Sequence, residues 1–67
     1  MKVIFYVIGY EKKGKRGIIV KKKLADAEKT YDKQIKTPGI IRACLIEFYS
    51  QTNCKVLKEY EQKQIDL

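Results

Sequence analysis

Few side chains in this sequence have the type and spacing that enzyme catalysis requires. The chain contains no histidine, so the most common general base of enzymes is absent. Arg42 and Glu47 are the charged residues of an apolar stretch, but a separation of five directs their side chains to opposite faces of a strand, and Glu47 is expected at the sheet rim or paired across strands. Ser50 has no base beside it, and neither cysteine has a histidine neighbour. We therefore expect a protein that is not an enzyme, with no catalytic residues and no small-molecule substrate.

The sequence also lacks the pattern of a metal or cofactor site. Zinc needs four Cys, His or carboxylate ligands, whereas the chain has two cysteines and no histidine. Gly14 and Gly17 are not followed by the helix that a phosphate-cradling glycine motif requires. On the second hairpin inferred below, Cys44 and Cys54 lie on the order of 16 Å apart, too far for a disulfide. We expect no metal, no cofactor and two free thiols in a reducing compartment, with Cys44 as a small core residue.

Lysine and arginine side chains provide the remaining chemistry, namely contacts to phosphate groups. The formal net charge is +7, and residues 11–23 hold seven basic residues against one acid, so +6 of it is local. The basic residues of this stretch are Lys12, Lys13, Lys15, Arg16, Lys21, Lys22 and Lys23. Flexible lysines on a glycine-containing loop suit phosphate contacts, which need charge more than geometry and carry no sequence readout.

This basic stretch predicts nucleic-acid binding, and two alternatives stay open. The same charges on a solvated loop keep a protein soluble and leave an edge strand unpaired. They also suit another polyanion or an acidic protein surface, because charge alone does not distinguish these partners.

Two predicted strands position the basic stretch. Residues 3–10 carry no charge and are apolar on both sides of any strand they form, which predicts a strand over residues 2–10 that needs cover on both faces. The charged residues 11–17 contain two glycines and predict a hairpin connection. The second strand, at residues 17–22, is short and ends in lysines, which is typical of a sheet edge.

A helix follows the second strand. Apolar residues then recur at spacings of three and four, which is the stripe of a helix over residues 24–36. The stripe consists of Leu24, Ala27, Tyr31 and Ile35. Thr37, Pro38 and Gly39 end the helix, because proline disfavours helical geometry in the residue before it and glycine permits a turn.

Two further strands complete the predicted fold, at residues 40–49 and 54–61, with a polar turn between them. The two most apolar strands belong in the middle of the sheet, and a right-handed crossover through the helix connects the second strand to the third across the first. We therefore predict a single α+β domain of residues 1–67, with element order β-β-α-β-β and a four-stranded antiparallel sheet in the order 2-1-3-4. Residues 62–67 are expected to be a frayed tail or a contact to a partner.

One helix covers one face of such a sheet, so a set of large apolar side chains lacks cover from its own chain. We expect the helix to pack on Phe5, Val7, Cys44, Ile46 and Phe48. The opposite face is then the predicted interface, and its candidate residues are Ile4, Tyr6, Ile8, Tyr10, Leu45 and Tyr49. Both sets are apolar, so the two faces can be exchanged in this assignment.

Several partners are compatible with the uncovered face. It predicts a homodimer formed sheet against sheet, or docking onto a different protein. Tyr6, Tyr10 and Tyr49 also suit stacking with unpaired bases. Alternatively, the C-terminal tail folds over this face.

The longest uncharged apolar run has eight residues, far fewer than the roughly 20 that span a bilayer. It begins directly after Met1 and Lys2, without a small-residue cleavage site, so we expect a cytoplasmic protein that does not contact membranes. The leading hypothesis is a small homodimeric protein that binds nucleic-acid phosphates through its basic hairpin. The alternative is a phage or mobile-element accessory protein that binds a host or viral protein through its open sheet face and modulates it.

Overall fold

The computed structural model describes residues 2–62, which form four strands and one helix. The strands are β1 (Phe5–Lys12), β2 (Lys15–Lys21), β3 (Ile40–Phe48) and β4 (Cys54–Glu61), and the helix is α1 (Leu24–Lys36). The predicted tail lies outside the described residues from residue 63 onward.

The sheet has the strand order β2-β1-β3-β4, and every neighbouring pair is antiparallel. α1 follows β2 and leads into β3, so the crossover passes over β1. The predicted architecture is therefore confirmed, both in its element order and in the arrangement of its sheet. The physical basis is simple: the two strands with the most apolar side chains take the central positions, where both of their edges are paired.

The β1–β2 hairpin is tighter than the seven-residue connection predicted from the sequence. β1 continues to Lys12 and β2 begins at Lys15, so that two residues form the turn. Lys13 and Gly14 both have positive φ, 46° and 80°. Positive φ at both central positions is the signature of the type I′ turn, whose twist matches that of the flanking strands. The longer strands carry the sheet hydrogen bonds almost to the tip of the hairpin.

α1 spans Leu24–Lys36 and begins without a side-chain cap, because Lys23 occupies the N-cap position. Asp26 in its first turn interacts favourably with the positive end of the helix dipole. At the other end, the N–H of Thr37 donates to the carbonyl of Gln34 at 3.1 Å. Gly39, with φ of +91°, then turns the chain into β3. Within residues 2–62, no helix is long and apolar enough to cross a membrane.

The core lies between α1 and one face of the sheet. It consists of Tyr6, Ile8, Ala27, Tyr31, Ile40, Ala43 and Leu45. Ile8 and Leu45 are completely buried and lie opposite each other on the two central strands. Burial of each such side chain contributes about 1.5–3 kcal/mol to stability.

The face that α1 covers is the opposite of the one predicted from the sequence. Tyr6, Ile8 and Leu45, which were expected on the uncovered face, are buried beneath the helix. The set that was expected to meet the helix, including Phe5 and Val7, lies on the other side. The assignment was wrong because both sets of β1 and β3 are apolar, and hydrophobicity alone does not choose between them. α1 takes the face with the bulkier central side chains.

The helical stripe is also less deeply buried than its spacing indicated. Ala27 and Tyr31 are buried and Ile35 is partly buried, but Leu24 at the start of α1 remains 41% exposed. The helix therefore packs mainly through its second and third turns.

An irregularity in β4 turns two consecutive residues toward the helix. The register between β3 and β4 shifts after Leu45, so that Lys58 lies opposite Leu45 and Val56 lies opposite Ile46. Leu57 is the extra residue of this bulge and packs against the core. A bulge places two residues against one and re-aims a side chain. As a result Lys58 lies 3.3 Å from a carboxylate oxygen of Glu28 on α1.

Candidate functional site

Four exposed cations surround the turn of the β1–β2 hairpin. They are Lys12, Lys13, Lys15 and Arg16, and we call them the basic tip. The turn brings them together because Lys12 and Lys15 are directly paired across the two strands. Sequence analysis identified all four, and the fold places them side by side.

The lysines of the basic tip carry charge that is not neutralised locally. Arg16 is paired with Glu11, with Nε and Oε1 separated by 3.5 Å. Within residues 2–62, none of the three lysines lies within ion-pair distance of a carboxylate. Three ammonium groups at the end of one hairpin therefore remain available to an external anion.

The basic tip lies beside the end of α1. A Cβ atom on Gly39 would approach Cε of Lys13 to 3.2 Å and Cε of Lys12 to 3.4 Å, so both lysine side chains extend along this glycine. The last turn of α1, just before this loop, contains Lys33 and Lys36. The fold thus adds two helix lysines to the end of the molecule that the hairpin already makes basic.

The other three predicted phosphate-binding residues do not join this group. Lys21 ends β2, and Lys22 and Lys23 lead from it into α1. From Lys15 to Lys21 the strand advances about 20 Å at about 3.3 Å per residue. The basic stretch of the sequence therefore forms two clusters at opposite ends of the molecule, the basic tip and a second cluster of residues 21–23.

The sheet face opposite α1 has no cover within residues 2–62. We call it the open face, and its apolar side chains are Phe5, Val7, Ile18, Val20, Cys44, Ile46, Phe48 and Val56. Ile18 is 72% exposed, Val20 55% and Val56 45%. Phe5 and Phe48 stack on each other, with ring centroids 4.9 Å apart. This is a contiguous apolar surface of the kind that marks an interaction site.

A row of charges crosses the open face near the basic tip. Arg16 on β2 lies opposite Glu11 on β1, Glu11 lies opposite Arg42 on β3, and Arg42 lies opposite Glu61 on β4. We call these four residues the charged row. Their signs alternate across the sheet, positive, negative, positive, negative. Nη2 of Arg42 lies 3.8 Å from Oε1 of Glu61, so the row contains a second ion pair besides that of Arg16.

A shallow hollow of about 720 Å³ lies next to the charged row. Gly9 and Cys44, facing each other on β1 and β3, are among its lining residues. A Cβ on Gly9 would come within 3.1 Å of the Cys44 sulfur, so the hollow exists because both residues are small. Cys44, predicted as a core residue, is instead a partly exposed free thiol of the open face. Among residues 2–62 there is no group of three or more Cys, Asp or Glu that could hold a metal ion.

The predicted interface residues are distributed over different environments. Tyr6, Ile8 and Leu45 are buried beneath α1 and lie away from the open face, which corrects their assignment. Ile4 is 54% exposed, just before β1. Tyr10 is also corrected, because it lies on the covered side of the sheet, packs against the core and extends its ring across Gly17 of β2. Base stacking on Tyr6 is excluded by its burial.

Tyr49 is partly buried and donates a hydrogen bond to the carboxylate of Glu47. This bond stabilises the neutral phenol and raises the pKa of Tyr49 above its ordinary value. Glu47 lies opposite Lys55 across the strands and on the face opposite to Arg42. The pair of Arg42 and Glu47 therefore makes no common site.

The charges of β1 and β3 do not by themselves identify the open face. Glu11 and Arg42 share their sides of β1 and β3 with Phe5, Val7 and Ile46, but Glu47 lies on the side that α1 covers, opposite Tyr6. Charges are costly to bury, yet each side of β3 carries one, so this pattern does not select a side. The strand register, which the sequence alone does not provide, shows which charges share a face.

Comparison of the chain with models of protein families, with curated proteins and with solved structures finds no match. The functional inference therefore depends on the basic tip, the open face and the charged row.

Proposed function

We propose that this protein binds the phosphate backbone of nucleic acids through its basic tip, and that it acts by binding rather than by catalysis. The observation that carries the proposal is the group of three lysines at a two-residue turn without a carboxylate partner within residues 2–62. Phosphate neutralisation by lysines releases condensed counterions, which favours binding.

The shape of the hairpin supports this function. β1 and β2 are paired up to Lys12 and Lys15, so the tip projects as a supported ribbon with flexible lysine side chains. Lysines act as mobile point charges, which suits contacts to successive phosphates. The tip has no Asn or Gln among its four residues and its arginine is paired with Glu11, so base-specific contacts are not expected. Binding should therefore be insensitive to nucleotide sequence.

The experiment is fluorescence polarisation with labelled single-stranded and double-stranded oligonucleotides of about 20 nucleotides, over a series of salt concentrations. A tip variant, Lys12→Gln/Lys13→Gln/Lys15→Gln, is compared with a base variant, Lys21→Gln/Lys22→Gln/Lys23→Gln. Both variants lose three positive charges, so net charge is matched. Because each phosphate contact contributes about 0.7–0.9 to the salt slope, the tip variant should lose about 2–3 units of slope.

The base variant is expected to keep most of the native slope. Equal losses in the two variants would mean that net charge alone drives binding and that the tip is not the site. Absence of binding of the native protein to any of these oligonucleotides at low salt would reject the proposed function.

A second candidate function is occupation of a protein partner, and the observation that favours it is the exposed apolar surface of the open face. Such a protein would modulate its partner by covering part of it. Affinity capture after nuclease treatment separates the two functions, because a partner held through nucleic acid is lost while a partner bound to the open face is retained. An Ile18→Glu variant used in parallel should lose only the second kind of partner.

A further inference from the structure

We propose that the open face is the interface of a symmetric homodimer, in which two sheets pack face to face about a two-fold axis parallel to the strands. The axis lies between β1 and β3, so that β1 of one copy faces β3 of the other and β2 faces β4. This inference does not depend on nucleic-acid binding. It follows from the self-complementarity of the open face under this rotation.

The charged row provides the strongest evidence. A two-fold rotation about an axis along the strands reverses the strand order of the second copy. A row of charges that runs positive, negative, positive, negative in one copy therefore faces a row that runs negative, positive, negative, positive in the other. Arg16 faces Glu61 of the second copy, and Glu11 faces Arg42 of the second copy. Every charge of the row is thus opposite a charge of the other sign. An isologous interface requires this kind of matching, since residue i contacts j and j contacts i.

The apolar rows match under the same rotation. The row next to the Phe pair contains Val20, Val7, Ile46 and Val56, and it faces itself in reverse order. Phe5 of one copy faces Phe48 of the other, which extends the stacked pair within each chain. In the row of the hollow, Gly9 faces Cys44 of the second copy, and the small residues leave space for the sheets to approach. At the ends of this row Ile18 faces Glu59 of the second copy, and Glu59 is on the edge strand β4, at the polar rim of the interface. Aligned sheets of this kind pack about 10 Å apart.

A two-fold axis across the strands does not give this match. It would place the charged row of one copy on the Phe5–Phe48 end of the other, and the two central charges, Glu11 and Arg42, would face the aromatic rings of Phe5 and Phe48. Desolvation of unpaired charges against an apolar surface is strongly unfavourable. The charge pattern therefore selects the axis parallel to the strands.

The area of the open face is sufficient for a dimer. Four strands spaced about 4.8 Å apart and about seven residues long at about 3.3 Å per residue cover on the order of 450 Å² in projection on each copy. The accessible area of side chains standing on that surface is larger than its projection, so the dimer reaches the roughly 1,000 Å² of total buried area that marks a specific interface. Within residues 2–62, the single helix of 13 residues packs on the other side of the sheet and does not cover this surface.

The charges of the open face argue against a nucleic acid as its occupant. The charged row has no net charge, and Glu59 adds a carboxylate beside it. A surface with this balance does not attract a polyanion, in contrast to the basic tip. The charged row is complementary to the charged row of a second copy of the chain, and Glu59 is left at the rim of that interface.

The first test is the mass in solution, measured by light scattering or sedimentation equilibrium. The native chain should have twice the 7.9 kDa of one copy. Ile18→Glu places a carboxylate on the open face at a residue that is 72% exposed, so the fold tolerates it and the mass should fall to that of one copy. Leu24→Glu, at an exposed apolar residue of α1, is the matched control and should remain dimeric. A monomeric native chain at about 0.5 mM, or a dimeric Ile18→Glu variant, would overturn the proposal.

The second test concerns the axis. A row-reversed variant carries Glu11→Arg, Arg16→Glu, Arg42→Glu and Glu61→Arg. The two ion pairs of the charged row are kept within each chain, with acid and base exchanged. The variant should form its own dimer, but mixed with the native chain it places like charges opposite each other along the whole row. Native mass spectrometry of the variant with ¹⁵N-labelled native chain should show the two homodimers and almost no heterodimer. A statistical 1:2:1 mixture would overturn the axis.

The outcomes separate this inference from the proposed function. With the axis along the strands, both basic tips lie at the same end of the dimer, on the order of 14 Å apart by sheet and strand spacings. The Ile18→Glu variant should therefore bind oligonucleotides more weakly than the native dimer. Substitution of the lysines of the basic tip should weaken the binding of this variant further. A dimer that binds no nucleic acid rejects only the proposed function, and a monomer that binds nucleic acid rejects only the dimer.

Discussion

At the scale of single residues, the close contact between Tyr10 and Gly17 shows how an edge strand is shielded. The two residues are directly paired between β1 and β2, and a Cβ on Gly17 would lie 2.4 Å from Cζ of Tyr10. The Tyr10 ring therefore occupies the space that a side chain at position 17 would need. An aromatic ring laid over a strand glycine compensates for the missing side chain by covering the backbone.

We expect Gly17→Ala to force the Tyr10 ring off the sheet, at a cost of about 0.5–1.5 kcal/mol that offsets the gain of about 0.5–1 kcal/mol from replacement of a strand glycine by alanine. In a Tyr10→Ala background only the gain should remain, since the clash is absent. Urea unfolding of the four proteins of this double-mutant cycle measures the coupling. Additive effects of the two changes would contradict the interpretation.

Tyr31 is, with Tyr6, one of two buried tyrosines in the core of residues 2–62. Burial raises the pKa of its phenol above 10.0, while Lys58, whose Nζ lies 5.8 Å from the ring centroid, acts in the opposite direction. A raised pKa means that the folded state prefers the neutral phenol. The resulting stabilisation is complete below the pKa of the unfolded chain and is lost as the pH rises through the folded pKa.

The free energy of unfolding should therefore fall above about pH 10, and Tyr31→Phe should reduce this fall because phenylalanine does not ionise. Urea unfolding of both proteins from pH 7 to 11 tests the expectation. At pH 7 both side chains are neutral, so the difference there reports packing alone. A parallel pH dependence of the two proteins would show that Tyr31 does not contribute.

At the scale of elements, the β1–β2 turn combines a charge of the proposed phosphate-binding site with backbone strain. Lys13 has a φ of 46°, a region that non-glycine residues rarely adopt and that Asn tolerates best. The type I′ turn prefers Asn followed by Gly, and Gly14 already occupies the second position. A lysine at the first position is thus retained at a cost in stability.

Lys13→Asn should stabilise the protein by about 0.5–1 kcal/mol through relief of this strain, and it should weaken oligonucleotide binding by removing one charge. Thermal unfolding and the polarisation assay measure the two effects on one protein. Opposite signs for stability and binding are the expected result. A loss of stability would contradict the assignment of the turn.

At the scale of the whole molecule, a chain of 67 residues has little room for a core. A chain of this size buries only about 60% of the surface that its unfolded form exposes, so its stability as a single copy is small. The core of seven buried residues among residues 2–62 agrees with this expectation. Dimerisation through the open face would give each copy a second apolar layer.

The melting temperature should then depend on protein concentration. A tenfold increase should raise it by about 5 °C for a dimer of this size, because unfolding and dissociation are coupled. Ile18→Glu should remove the dependence, whereas the Leu24→Glu control should retain it. A native melting temperature that is constant over a hundredfold range of concentration would exclude a coupled dimer.

The sequence by itself determined the order of the elements. The spacing between apolar residues changes from the pattern of a strand to the three-and-four spacing of a helix at residue 24, and it returns to the pattern of a strand at residue 40. It also determined the central place of β1 and β3, and the location of the basic tip, which follows from neighbouring residues in one hairpin. Each of these features depends on the types and spacing of residues that are neighbours in the chain, and a single sequence shows these directly.

Tertiary structure decided which face α1 covers and which side chains share a row. The alternate residues of β1 and β3 are apolar on both sides, so the choice rests on the crossover and on how α1 packs against the bulkier set. The charged row exists because the strand register aligns the hairpin pair of Glu11 and Arg16 with Arg42 and Glu61, which are far from that hairpin in the chain. Register and packing join residues that no local pattern connects, and for that reason the open face became visible only in the folded molecule.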